Sequence, residues 1–332
     1  MRQEQFVTRH EHEWRQFEDW LQQRGGSARR ARNTPAPDLP GDETIPERYR
    51  RLCQQLALAR RRGYSPQLVE RLQQLMQRGH NLLYRAPPPR WQRALEFLFA
   101  GFPQLVRSQA AAMWVACALF VLPLVGVFVL LQYKPELVHL LLDPQQIAHM
   151  EKSYDPSAEH LGRTRDSGTD WAMFGHYIMN NISIGLRTFA SGLLAGVGTV
   201  LVLLYNGLAI GAVAGHLQHM GYGDPFWRFV AGHAPLELTA IVIAGGAGLQ
   251  LGLRLIAPGR KRRIDALVEG GVIGARLCLG VAFMLLLAAF VEAFWSSIAT
   301  VPAWGKFTVS GVLWALVFGW LWRGGHGGRD AH

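Results

Sequence analysis

His233 and Glu237 stand four residues apart at the start of the apolar run GHAPLELTAIVIAGGAGLQLGL, residues 232–253. At that spacing they share one helix face. Pro235 between them is tolerated in a first turn, so the helix begins at Gly232 or His233. An imidazole and a carboxylate on one face can ligate a metal, relay a proton or substrate beside a cavity, or lock helices together. A zinc protease of the usual type carries HExxH, whereas this chain reads HAPLE and has no second His–Glu pair at helical spacing, so no metal, cofactor or catalytic role is assigned. The structural reading is preferred, because ionisable groups in lipid are costly unless paired and polar residues of membrane helices bond across to their neighbours. The partners expected for Glu237 are Arg187 and Asn206, with His233 capping the same cluster and Asn181 and His216 completing the polar set. Arg254, Glu269 and Arg276 lie near a basic loop and can snorkel, and Glu292, beside Trp295, is assigned to the outer edge.

The elements that must carry these residues are membrane helices. Crossing a bilayer takes about 20 apolar residues. Residues 110–131, 184–204, 234–257 and 271–291 qualify, and 307–322 is short but uncharged and rich in interfacial tryptophan. Residues 207–220 are the ambiguous case, with His216 and His219 inside a short run; a re-entrant half-helix is the alternative to a full crossing. Charge resolves it. The first hundred residues are rich in arginine and contain no lysine, and PGRKRR at 258–263 is strongly basic, so both are expected on the cytoplasmic side. The 132–183 segment is mildly acidic and is expected outside. Parity then requires 207–220 to cross, giving about six spans with both termini cytoplasmic.

Three stretches space small residues at three or four: SGLLAGVGT with Gly192, Gly196 and Gly198, NGLAIGAVAGH with Gly207 and Gly211, and IAGGAGLQLG with Gly245, Gly246 and Gly248. Such faces let helix backbones approach closely, and three in succession predict a compact, glycine-lined core.

The chain has 332 residues, 49% of them hydrophobic, with a shift from polar to apolar composition near residue 103–109. The expected domains are a helical bundle over 1–90, an amphipathic interfacial helix over 91–108, a transmembrane domain over 109–325 and a cytoplasmic tail over 326–332. In the first domain Phe6, Trp14, Phe17 and Leu21 mark one helix, Tyr49, Leu52 and Leu56 a second, and Leu68, Leu72, Leu75, Leu82 and Leu83 a third. GGSARRARNTPAPDLPGD reads as a linker. In WQRALEFLFAGFPQLVR, Trp91, Phe97 and Phe99 are expected to dip into lipid and Arg93 to face headgroups. The net charge of +10 belongs to orientation in the membrane, and no nucleic-acid module is present. The three cysteines have no metal or disulfide spacing. The polar start MRQEQFVTRHEHEWRQF predicts no cleavable signal peptide.

The run FGHYIMNNISIGLRTFASGLLAGVGTVLVLLYNGLAIGAVAGH, then GHAPLELTAIVIAGGAGLQLG and PG before a basic loop, resembles the stage II sporulation protein M family across roughly residues 100–325. The set NNI, GxGT, NGLxxGA, GHxPLE and the glycine cluster carries the likeness; Ala234 stands where the family usually has Gly. The resemblance implies an all-α polytopic bundle in the bacterial inner membrane that acts as a scaffold. The sporulation member localises two peptidoglycan-cleaving proteins and is not itself a known hydrolase. Some relatives lie beside MoxR-type ATPases and RDD-type membrane proteins, so the implied partners are lipid, other membrane or cell-envelope proteins and a second copy of the chain, with no nucleic acid. A transporter or channel component with a polar site around His233 and Glu237 is the alternative. No GxxxxGKS loop is present, so an ATP-driven role would need a separate ATPase.

Overall fold

The computed structural model describes residues 2–25, 42–84, 89–155, 162 and 170–326. They are helical, and no strand occurs among them. The chain divides into two units at Pro89 and Arg90.

The first unit holds α1 (Gln3–Gly25), α2 (Ile45–Arg61) and α3 (Pro66–Leu83). The apolar face of α1 (Phe6, Trp14, Phe17, Trp20, Leu21) closes on Ile45, Tyr49, Leu52, Leu56 and Ala59 of α2 and on Leu68, Leu72 and Leu75 of α3. Leu82 and Leu83 are half-buried at its edge. Pro66 opens α3 behind Ser65, whose Oγ accepts the Leu68 amide. Polar contacts tie the seams: Trp14 Nε1 donates to Gln55 Oε1 at 2.7 Å, and Arg71 grips Glu11 with two bonds of 3.0 and 3.1 Å. The linker expected between α1 and α2 lies almost wholly outside the described residues.

Among its described residues the second unit contains six long helices: α6 (Ala110–Tyr133), α8 (Asp170–Ala190), α9 (Val197–His219), α11 (Ala234–Ile256), α12 (Arg263–Val291) and α13 (Ala303–Arg323). Short helices α7 (Pro144–Ser153) and α10 (Gly223–Val230) fill connections, and α4 (Arg90–Glu96) and α5 (Phe102–Ser108) precede α6. Among the described residues, five helices are long and apolar enough to cross a membrane: α6, α9, α11, α13, and α12 extended to Ser296. The sixth, α8, is 21 residues long and more polar. It runs antiparallel to α12, with Tyr177 beside Ala289 and Ala293, Gly185 beside Leu285, and Phe189 on Gly274.

The chain path corrects two expectations. Residues 184–204 do not form one helix. α8 stops at Ala190, a 3-10 turn covers Ser191–Leu193, and Ala195 (φ 53°) and Gly196 (φ 80°) reverse the chain into α9. Left-handed backbone ends a right-handed helix, yet the residues making this reversal, Leu193 and Leu194 among them, are apolar, so a hydropathy window reads through it. Likewise 207–220 is neither a separate crossing nor a re-entrant half-helix: it is the second part of α9.

Helix α11 is the axis of the bundle. Its Gly245 receives Leu203 of α9, its Gly246 receives Met113 of α6, and its Gly248 lies under the carbonyls of Thr188 and Phe189. Gly192 abuts the Gly248 backbone and Gly196 abuts Gly252, so the turn meets α11 main chain to main chain. Gly192 and Gly196 therefore pack from a turn, not from a helix face, and Gly198 packs against that turn at Ser191 and Leu194. Gly207, Gly211 and Gly215 form a stripe on α9 against Phe120, Leu124 and Phe128 of α6. At the far end of α11, Arg254 pairs with Glu269 at 3.0 Å, and Lys261 also bonds Glu269, closing the α11–α12 hairpin. Arg254 and Glu269 are thus partners of each other, while Arg276 is exposed.

Residues 91–108, expected as one interfacial helix, form two short helices. A π-turn at Phe97–Gly101 joins α4 to α5. Phe102 is fully buried on Gly280 of α12, and Phe97 packs beside it, while Trp91 and Phe99 stay exposed. Arg107 donates to the carbonyls of Leu321 and Gly324, capping the carbonyl end of α13 where a cation is favoured.

Two outcomes follow. Residues 1–86 expressed alone should give a helical circular-dichroism spectrum and a cooperative melt. The Arg71 guanidinium holds the Glu11 carboxyl below its usual value. The stability this pair adds is complete above the ordinary carboxylate pKa and is lost as pH falls through the lowered one. Glu11→Gln should therefore flatten the acid limb of that fragment's stability profile. In the second unit, Gly248→Leu forces a side chain against the Thr199 hydroxyl and the Thr188 and Phe189 carbonyls at the end of α8. Overpacking typically costs about 1–3 kcal/mol, so it should lower the detergent melting temperature clearly, whereas Gly126→Ala, with open space around it, should not.

Candidate functional site

The polar centre of the second unit lies where α11 begins and α12 ends. His233 caps α11, with Pro235 in the first turn, and Glu237 follows one turn on. Beyond Val291, α12 widens into a π-turn, Glu292–Ser296. The extra residue in such a turn rotates the side chains that follow, and here Glu292, Ala293 and Ser296 are all buried. His233 Nδ1 is 3.1 Å from Ser296 Oγ, and His233 Nε2 is 3.8 Å from Glu237 Oε2. The ligand-capable atoms of His233, Glu237 and Glu292 all lie within 4.8 Å of one another. Asn181, buried on α8, donates to Glu292 Oε2 at 3.5 Å.

A surrounding layer holds this group in place. A Cβ on Gly232 would sit 2.9 Å from Ser296 Oγ, so glycine leaves room for the hydroxyl beside the imidazole. The Phe229 ring stands edge-on to His233 with centroids 5.3 Å apart. Lys306, on α13 and only 1% exposed, donates to the Ser296 carbonyl at 2.6 Å. Arg228 donates to the carbonyls of Ala299 and Val301 at 2.9 Å each, holding the link between α12 and α13. Four long helices, α8, α11, α12 and α13, thus converge on one buried knot.

Residues 110–297, more than half of the chain, match the family model described as Stage II sporulation protein M. The chain belongs to that family. Residues 4–85 match a second model, a domain of unknown function (DUF8413). No curated protein and no solved structure matches the chain. The sporulation protein M region contains Asn181, His233, Glu237, Glu292 and Ser296, and it ends before Lys306 and α13. With its apolar helices, this family membership makes the protein a multi-pass membrane protein.

The structure gathers His233, Glu237 and Asn181 but separates the other members of the expected cluster. Arg187 is exposed. Its neighbour Thr188 packs at Gly248, about three helical turns along α11 from Glu237. Asn206 turns its amide onto the Val202 carbonyl of its own helix at 2.7 Å. His216 pairs with Glu151 of α7 at 2.8 Å. The expected Glu237–Arg187 and Glu237–Asn206 contacts are therefore absent among the described residues, because the reversal at Ser191–Gly196 sets Arg187 near the opposite end of α11.

Three residues of the site were missed by sequence reasoning. Glu292 is expected at the outer edge of the membrane, and the sequence does not show that it turns inward there to Asn181. Lys306 stood just outside the expected span 307–322. Ser296 carries no sequence signal of its own.

Melting in detergent tests this layout. Arg187→Ala should behave as a surface change, within about 0.5 kcal/mol of wild type. His233→Ala and Ser296→Ala should each be destabilising, since an orphaned buried partner costs about 1–3 kcal/mol. Their double mutant should lose less than the two effects added together; strict additivity would break the pairing.

Proposed function

We propose that this family member is a scaffold of the bacterial cytoplasmic membrane, which organises a complex of membrane or cell-envelope proteins and is not itself an enzyme. The observation that carries this reading is the main-chain contact of α11 with the Ser191–Gly196 turn, together with the glycine stripe between α6 and α9. Helices in backbone contact cannot part to open a path without losing the packing that joins them, which suits a fixed frame. The separate helical unit at residues 2–84 has its own core, as a docking module requires. In this reading the basic loop 258–263 and both termini face the cytoplasm, and α8 supplies the sixth crossing. MoxR-type ATPases, RDD-type membrane proteins and a second copy of the chain are the partner classes to test first.

Orientation is checked with single cysteines and a membrane-impermeant thiol reagent in intact cells. Positions near residue 140 and near Gly221–Asp224 should react, and positions at 258–263 should not; the reverse pattern would invert the protein. The scaffold role is tested by affinity purification in mild detergent with quantitative mass spectrometry, comparing the whole chain with residues 90–332. Defined envelope proteins should accompany the whole chain and be depleted when the first unit is removed. A pH-dependent flux in proteoliposomes that Glu237→Gln abolishes without changing the melting temperature would replace the scaffold reading with transport.

A further inference from the structure

We propose that the outward face of α8 is the seam on which a second copy of this chain docks, with Asn180 of each copy bonded to Asn180 of the other. The inference rests on α8 as a membrane crossing and is independent of the scaffold role.

α8 lies at the depth of an apolar span. Its Gly185 packs on Val281 and Leu285 of α12, its Phe189 on Gly274, and its Tyr177 beside Ala289 and Ala293. Midway along α6 and α13 the outward side chains are apolar, such as Leu122, Val125, Leu316 and Phe318. On α8 they are not. His176, Asn180, Ser183 and Arg187 are all exposed and stand four, three and four residues apart. That spacing draws one row along a helix, the seam pattern of paired helices. Polar side chains that face lipid are costly, and in a membrane Ser, Asn and His find their hydrogen bonds on a neighbouring helix.

The NNI stretch leaves this row open. Its two asparagines point apart. Asn181 turns inward to Glu292. Asn180 turns outward and donates one amide N–H to Asn181 Oδ1 at 3.0 Å. An asparagine amide has two donors and an acceptor oxygen. Among the described residues the Asn180 oxygen accepts no hydrogen bond and its second N–H makes none. Ser183 donates back to the Asn180 main-chain carbonyl at 2.9 Å, and its oxygen can still accept.

Membrane symmetry names the occupant. A symmetric pair of copies inserted the same way has its two-fold axis along the bilayer normal, so a shared α8 seam is parallel and each residue meets its own counterpart. Asparagine, serine and neutral histidine each donate and accept, so each can bond itself. Two facing asparagine amides exchange N–H···O bonds, and one asparagine in the seam of a parallel helix pair fixes its register. A different partner would need a matching row at the same heights; a second copy supplies it by symmetry. Arg187 does not suit self-pairing. It lies in the last turn of α8, where the carbonyl end favours a cation, and its long side chain can bend aside toward headgroups.

The test uses the full chain with Cys53, Cys117 and Cys278 replaced by alanine and one cysteine returned. In isolated membranes under mild oxidation, His176→Cys and Ser183→Cys should each give a disulfide-linked band of twice the chain mass. Leu186→Cys, exposed but to one side of the row, should give about ten-fold less, because a disulfide needs Cβ atoms within about 4.5 Å. In a second arm, wild-type chains carrying donor or acceptor dyes at the C-terminus are mixed in dilute proteoliposomes and should show energy transfer. Asn180→Leu should weaken association about 3–30-fold, the range for an interhelical hydrogen bond, and Asn180→Gln should keep it. Helical signal and melting temperature check folding. If a variant does not fold, energy transfer in wild type decides. Its absence overturns the seam, as would equal cross-linking at Ser183→Cys and Leu186→Cys, or folded Asn180→Leu associating like wild type. Reaction of Ser183→Cys with a membrane-impermeant thiol reagent, without cross-linking, would remove the sixth crossing and the seam together and leave the partner purification untouched.

Discussion

The approach of the Ser191–Gly196 turn to the Gly248–Gly252 face of α11, backbone against backbone, is the contact on which the bundle depends. Between membrane helices there is no hydrophobic driving force, because lipid tails are as apolar as leucine, so association rests on close packing and hydrogen bonds. Close packing needs main chains near one another, and a single Cβ at Gly192 or Gly252 would meet backbone there. The contact fixes where α8 ends and α9 begins, and hence which residues face α11. It sets Thr188 and Phe189 at Gly248, turns Arg187 outward, and leaves α8 to run back along α12 until Asn181 reaches Glu292.

Glycine packing and polar knot occupy opposite parts of the same helix, and each solves what the other cannot. Glycine gives proximity and no direction; it would tolerate a neighbour sliding along it. The His233–Ser296 bond, the Asn181–Glu292 bond and the Lys306–Ser296 bond are directional, and each joins a different pair of elements. The π-turn at Glu292–Ser296 makes this possible by bringing Glu292, Ala293 and Ser296 inward together at the end of a long helix. π-turns in α-helices are frequent at functional sites, and this one carries two residues of the knot.

The two units are held by different physics. The first has a core of aromatic and leucine side chains whose burial supplies the driving force. Its arginines make surface pairs such as Arg71–Glu11, which add little singly. In the second unit many large apolar side chains point outward, and the interior combines Gly and Ala with Leu, Ile, Met and Phe and a few buried polar groups. Composition alone separates these two regimes, although the shift it shows, near residue 103–109, falls beyond the division at Pro89 and Arg90.

Periodicity, composition and glycine spacing were sufficient by themselves to determine an all-helical chain, its helical first unit, its membrane bundle and its family. These signals are local, and a bilayer imposes them on every spanning segment. His233 and Glu237 were also legible, because an ionisable pair in an apolar run demands an explanation. What they touch was not. The reversal at Ser191–Gly196 is built from apolar residues that look helical in any window, and two left-handed residues decide it. That one turn moved Arg187 and Asn206 away from Glu237 and admitted Asn181. Glu292, Ser296 and Lys306 joined the site only because α12 and α13 fold back onto the start of α11. Contacts between residues so far apart in the chain are chosen by packing, and no local pattern encodes them.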